Sequence, residues 1–191
     1  MRIGILAVQG AFAEHEHVLR KLGTDYFEIR KKGDLDAEIS GLILPGGEST
    51  VMGKLLEDLD LFNDLKEKIT KGLPVLGTCA GAILLAEEIE GSCNAYFGTI
   101  PMKIRRNAYG RQLGSFAVKE KIEGIGTYPM RFIRAPYIIS TASSVKILSV
   151  VDGNIVAVEY ENQLALAFHP ELTEDFRVHE HFLDRCKSYI C

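Results

Sequence analysis

The sequence predicts an α/β fold: an open, mostly parallel sheet with helices on both faces, plus added antiparallel strands. Two observations carry this. Through residue 90, short β-rich apolar runs alternate with amphipathic helical patterns, as expected of parallel strands covered on both faces. From Phe97 to Phe168, helical periodicity fades and several β-rich runs follow one another between turn signals. The chain's 191 residues favour a single domain, 1–191, and 47% hydrophobic content is ample for a full core.

The elements follow in order. "IGILAV" (3–8) reads as a strand and "AFAEHEHVLRKLG" (11–23) as a helix ending at Gly23. "DYFEI" (25–29) is a second strand, and "GLILPGG" (41–47) a third that stops at Pro-Gly-Gly. Residues 49–72 are helical with a break near Leu59–Leu61. "LPVLGT" (73–78) is a fourth strand, followed by a helix over "AGAILLAEEI" (80–89). The β-rich half contains "FGTIPMKI", "GSFAVKE", "YPMRFIRAPYIIS" and "VKILSVVDGNIVAVEYENQLALAFHP". Its Asp152-Gly153-Asn154 joins two apolar runs as a hairpin does. Residues 173–190 close the chain as a helix, with Thr173 as its N-cap.

Composition narrows the function. Net charge is −4 with scattered positive residues, which argues against nucleic acid as a partner. No apolar run reaches membrane-spanning length, so no membrane association is expected. The N-terminal run reads as a first strand, not a signal peptide. Cys79, Cys93, Cys186 and Cys191 fit neither a disulfide framework nor a zinc site. Reduced thiols in a cytoplasmic protein are the expectation.

Three strand ends carry unusual residues, where open α/β sheets bind ligands. In "GTCAGA" (77–82), Cys79 sits in a G-x-C-x-G pattern at a strand-to-helix turn. Small neighbours let the backbone turn sharply and present the thiol, as in a nucleophile elbow. The helix start beneath it favours a thiolate. The ordinary alternative is a buried structural cysteine. In "AFHPEL" (167–172), His169 ends an apolar strand and Glu171 lies two residues on, placed to orient the ring. A thiol nucleophile needs such a base. In "PGGEST" (45–50), Gly46 and Gly47 free the backbone to offer an N–H to an oxyanion, with a second from Ala80. A glycine turn whose Ser49 or Thr50 caps the next helix is the plainer reading, and both can hold. No G-K-[ST] follows, so nucleotide binding is discounted.

"GTCAG" with "HPE" resembles the class I, triad-type glutamine amidotransferases, a flavodoxin-like fold. "AVQGAFAEH" (7–15), "LILPGGEST" (42–50), "GTCAGAI" (77–83), "RNAYGRQ" (106–112), "FIRAP" (132–136) and "FHPEL" (168–172) resemble one branch of it: the glutaminase subunits of pyridoxal 5'-phosphate synthases. The resemblance runs over nearly the whole chain. It implies that Cys79 attacks the side-chain amide of L-glutamine, His169 shuttles the proton and Glu171 orients His169. Gly47 and Ala80 hold the oxyanion. Gly47, Glu48, Ser49, Arg106, Ile133 and Arg134 hold glutamine, two arginines suiting an α-carboxylate. It implies no cofactor and no metal. Its implied partner is a synthase subunit that activates the glutaminase and receives ammonia, with Gly46-Gly47 as a hinge for that control.

"HEH" occurs at 15–17 and 179–181, in two predicted helices. Positions i and i+2 face different sides, so a metal site is not expected, and His15 is assigned to the partner side or the rim of the site. Cys93, Cys186 and Cys191 read as inert or surface thiols. The competing readings are a cysteine peptidase or DJ-1-like thiol protein on a related fold, and a non-catalytic homologue. The intact Cys79, His169 and Glu171 set stands against both.

Overall fold

The computed structural model describes residues 1–108 and 114–190. Arg111, in the "RNAYGRQ" motif, and Cys191 lie outside the described residues.

The first half alternates as expected. Strand β1 (Arg2–Leu6) leads to helix α1 (Phe12–Lys21), then β2 (Asp25–Ile29), a 3₁₀ turn (Lys32–Asp36) and β3 (Gly41–Leu44). Helices α2 (Ser49–Asp58) and α3 (Phe62–Thr70) follow, with Asp60 between them in a left-handed conformation (φ 56°), the expected break. Strand β4 (Val75–Thr78) feeds α4 (Ala80–Leu85).

Here the structure departs from the sequence expectation. The helix stops at Leu85, and Ala86–Ile89 is strand β5. The alternation of Ala86, Glu87, Glu88 and Ile89 fits a helix face locally, but long-range pairing wins. Strand β5 pairs in parallel with β6 (Ile100–Arg105), Glu88 meets Lys103 at 3.2 Å, and the Leu84 carbonyl accepts from Phe97 N–H at 2.9 Å.

The β-rich half follows: β7 (Ser115–Ile122), β8 (Gly126–Ile133), β9 (Tyr137–Thr141), β10 (Lys146–Val151), β11 (Asn154–Tyr160) and β12 (Gln163–Leu166). The 152–154 hairpin is confirmed: Asp152 and Gly153 both have positive φ, the geometry that matches strand twist. Helix α5 (Arg177–Ile190) closes the fold. It starts four residues later than expected, and Thr173 is not its N-cap. A 3₁₀ turn over Pro170–Leu172 takes up the chain, and the Thr173 hydroxyl bonds Pro170 O at 3.0 Å and the Tyr128 hydroxyl at 3.0 Å. Asp175 Oδ1 instead accepts from Arg177 N–H.

The main sheet has ten strands in the order β2-β1-β3-β4-β12-β11-β9-β6-β5, with β10 paired to β11. Strands β2, β1, β3, β4 and β12 run parallel. Beyond β12 the sheet turns antiparallel through β11 and β9. Strands β7 and β8 form a separate hairpin.

Alternate residues of the central strands serve two cores. Leu42, Leu44 and Val75 face α2, α3 and α4, packing with Met52, Leu65 and Leu84. Ile3, Ile5, Ile43 and Leu76 face α1 and α5, packing with Leu19, Val178 and Phe182. This two-sided burial explains why the parallel strands read as continuous apolar runs. Phe132 of the β7–β8 hairpin joins the second core and meets Phe168, which holds the hairpin over the carboxyl end of β12. Among the described residues, no helix is long and apolar enough to cross a membrane.

Candidate active site

The sharp turn at Cys79 is built as its spacing implied. Cys79 has φ 50° and ψ −101°, a backbone region a non-glycine residue adopts only when its surroundings enforce it. The Cys79 N–H donates to Leu166 O at 2.8 Å, which ties the end of β4 to the end of β12. Helix α4 must then leave β4 abruptly, and Gly81 makes that possible: a Cβ there would sit 2.0 Å from Leu44 O. The thiol is almost buried, 7% exposed, with its Sγ 4.0 Å from Ile133 O.

His169 follows directly from β12 through Ala167 and Phe168. Its N–H donates to Arg131 O of β8 at 2.8 Å, so the hairpin clamps the backbone. Its Nδ1 meets Glu171 Oε1 at 2.6 Å, and Cys79 lies beside its ring. Burial disfavours the charged ring, but Cys79 and Glu171 beside it outweigh this and raise its pKa to about 10. Glu171 is buried too. Burial opposes its charge, yet His15 and His169 beside it hold its pKa below the ordinary value.

A cavity of about 450 Å³ opens over these groups, lined by Gln9, Gly46, Gly47, Glu48, Ser49 and Cys79 on one side. Arg106, Asn107, Ile133, Arg134 and His169 line the other. Nine of the residues singled out from sequence thus meet in one place. Glu171 stands behind His169, and Ala80 lies next to Cys79, outside the cavity lining. Arg106 comes off β6 and Arg134 off β8, so the two guanidinium groups arrive from different strands. Arg106 Nη1 donates to Thr50 Oγ1 at 3.2 Å. Arg134 takes a left-handed φ of 44°.

The Gly46-Gly47 turn is packed tightly. A Cβ on Gly46 would lie 2.4 Å from His169 Cε1, so only glycine lets the ring approach. The Gly46 carbonyl accepts from Ala11 N–H at 2.9 Å. In a trans peptide the carbonyl and the following N–H point oppositely, so the Gly47 N–H faces away from Ala11. Helix α2 is capped neither by Ser49 nor by Thr50 but by Glu48, whose carboxylate accepts from Thr50 N–H at 3.2 Å and Val51 N–H at 2.8 Å.

Sequence reasoning missed two groups. Gln9 reaches into the cavity wall, its Oε1 accepting from Glu48 N–H at 2.8 Å. His15 is not at a rim: it is fully buried behind Glu171, its ring against His179 of α5. The two "HEH" motifs thus meet through their first histidines, while His17 is exposed. Cys93 is exposed, and Cys186 is buried in the α1–α5 core, where burial pushes its thiol up to about 12.

A strained cysteine on a strand-to-helix turn, with a histidine just past the end of the neighbouring strand and a carboxylate in the 3₁₀ turn that follows, is an arrangement suited to a thiol-dependent hydrolase or transferase of α/β architecture. A family model described as the SNO glutamine amidotransferase family matches residues 5–188, and the chain belongs to that family. It is 56% identical to the "Pyridoxal 5'-phosphate synthase subunit PdxT" of Desulfitobacterium hafniense (strain DSM 10664 / DCB-2), across 100% of this chain and 98% of the relative. The protein of the same description from Streptococcus pneumoniae serotype 2 (strain D39 / NCTC 7466) is 52% identical, across 98% and 99%. Among solved structures, one described as a glutamine amidotransferase superposes with a TM-score of 0.92 at 41% identity, covering 97% of this chain and 98% of the other.

Proposed function

We propose that the chain hydrolyses L-glutamine to L-glutamate and ammonia as the glutaminase subunit of a pyridoxal 5'-phosphate synthase. Cys79 is the nucleophile, His169 the acid and base, and Glu171 the group that orients His169. The convergence of Cys79 at φ 50° with the 2.6 Å His169–Glu171 pair just past the end of the adjacent strand carries this reading.

Cys79 and His169 share one proton, which sits on His169 as Cys79 Sγ attacks the amide carbon. The tetrahedral oxyanion takes hydrogen bonds from the backbone N–H groups of Gly47 and Ala80. The C–N bond breaks as His169 returns the proton to the leaving nitrogen, and ammonia departs from a thioester. Water then attacks the thioester with His169 as base, and glutamate leaves with Cys79 restored. The raised pKa of His169 suits it to holding the proton between these steps. Glutamine is held by Gly47, Glu48, Ser49, Arg106, Ile133 and Arg134, with an arginine gripping the α-carboxylate.

Ammonia passes to a synthase subunit that docks over the cavity mouth and switches the glutaminase on. Ile133 is 44% exposed at that mouth, consistent with a surface covered in the complex. The whole chain, 1–191, acts as one catalytic domain, in the cytoplasm, needing neither metal nor organic cofactor. The test is glutamate release from glutamine by the purified chain, alone and with the synthase subunit, against Cys79→Ala. Stimulation by the partner that the variant lacks is expected. Release unchanged in Cys79→Ala removes the assignment of the nucleophile.

A further inference from the structure

The carboxylate behind the site has two oxygens and only one is used by His169. Glu171 Oε1 takes the ring at 2.6 Å. Glu171 Oε2 is buried and has no hydrogen-bond partner among the described residues. It faces His15 Nε2 at 3.5 Å. That same Nε2 lies 3.2 Å from Thr78 Oγ1, the side chain just before the nucleophile. On its other side, His15 Nδ1 lies 3.0 Å from His179 Nε2. His179 Nδ1 is buried and has no hydrogen-bond partner among the described residues. A buried row therefore runs from His179 through His15 and Glu171 to His169 and Cys79.

The chemistry of this row fixes its protons. Burial lowers the pKa of both His15 and His179, so each ring is neutral and carries one N–H. An ionised carboxylate only accepts. The His15 proton therefore belongs on Nε2, toward Glu171 and Thr78. Its Nδ1 is then a lone pair and needs a donor, which is His179 Nε2–H. That leaves no proton on His179 Nδ1, in keeping with the lack of an acceptor there. The reverse assignment sets a lone pair of His15 against the carboxylate and strands a buried N–H on His179, the costlier defect.

We propose that His15 is a positioning residue for the triad carboxylate, and that His179 fixes the tautomer in which it can act. The proposal rests on the reading of Cys79, His169 and Glu171 as the catalytic set. A neutral donor steadies the plane of Glu171 without cancelling its charge, which stays available to the His169 imidazolium. A lysine or arginine in that place would hold the carboxylate but compete for it. The charged and titratable groups around the row are few: Glu14, Glu171 and His169 face His15; His15 and Glu171 face His179; His15 and His169 face Glu171, with Tyr128 nearby.

Two amides separate positioning from packing. In His15→Gln the amide nitrogen reaches the level of imidazole Nε2; in His15→Asn it stops at the level of Nδ1. With the synthase subunit present, His15→Asn should lower kcat for glutamate release about tenfold or more with KM for glutamine unchanged. His15→Gln should return kcat to within about threefold of the parent. In the full chain alone, the rate of Cys79 alkylation by iodoacetamide should shift toward higher pH in His15→Asn and not in His15→Gln. A looser Glu171 supports the imidazolium less. His179→Leu keeps His15 but removes its donor, and should shift the alkylation curve the same way even if His15→Asn does not fold. Equal losses in Gln and Asn variants, or an unshifted alkylation curve in His179→Leu, overturn the proposal. If Cys79→Ala retains glutamate release, the triad reading itself has failed and the positioning role falls with it.

Discussion

Two clefts of about 450 Å³ lie at opposite ends of the parallel strands, and they differ in what lines them. The cleft at the amino ends is lined by Lys32, Asp36, Asp64, Glu67, Lys68 and Lys71, among others. Its charges pair with one another: Lys32 with Asp60 and Asp64, Lys71 with Glu67. They are exposed pairs, each worth little to stability. The cavity at the carboxyl ends receives residues from the loops after β1, β3, β4, β6, β8 and β12. It holds a strained backbone at Cys79 and a histidine whose pKa is raised despite burial. Volume does not distinguish the two clefts. Converging strand ends, strain and unusual titration do.

The sharpest way to break this comparison is to cut one residue in each cleft. Cys79→Ala should lower partner-stimulated glutamate release by about 10⁴-fold or more, the scale seen when a covalent nucleophile is lost. Lys71→Ala in the opposite cleft should leave the rate unchanged. Equal effects would erase the distinction between the two ends. Gly46→Ala comes next. Its Cβ would drive against His169 Cε1, and displacing the ring by about an ångström should cost about 10²-fold in kcat with the melting temperature nearly kept. Smaller again is Arg106→Ala, expected to raise KM for glutamine about tenfold with kcat largely retained, from loss of one charge-assisted contact.

A fourth prediction concerns stability and pH. His179 has its pKa lowered from 6.5 to about 3 in the fold, chiefly by burial. A base held neutral this way contributes stability that is present above the unfolded value and lost as pH falls. Urea midpoints should therefore decline from about pH 6.5 toward pH 3, and His179→Gln should flatten part of that decline. Glu171, with its lowered pKa, adds to the same acid limb, lost below its ordinary carboxylate value. His169 acts in the opposite window: its contribution is complete below 6.5 and disappears as pH rises toward about 10.

What the sequence disclosed followed its local signals. The G-x-C-x-G spacing foretold the turn at Cys79, and His-Pro-Glu foretold the pairing of His169 with Glu171, because those relations are set within a few residues. The hairpin at Asp152-Gly153 and the break near Asp60 were legible for the same reason. Ala86–Ile89 was misread because its partner, β6, lies across a loop and supplies the hydrogen bonds that end the helix. Thr173 looked like a cap, but its hydroxyl serves Tyr128, forty-five residues away. The His15–His179 contact spans 164 positions, and no local pattern encodes it. Motif resemblance brought Arg106, Ile133 and Arg134 to the site; spacing alone gave no reason to choose them among the other strand-edge residues.

The hydrogen bond from Cys79 N–H to Leu166 O ties the end of β4 to the end of β12, and Cys79 and His169, which follow these strands, stand ninety positions apart. Cys79 and His169 therefore share no element that can form early by itself. Strand β12 must dock in register beside β4, a non-local closure of the kind that slows folding. During refolding from urea, helical signal should return before any glutamine is turned over. Regained catalysis thus serves as a clock for the last strand to settle into the parallel sheet.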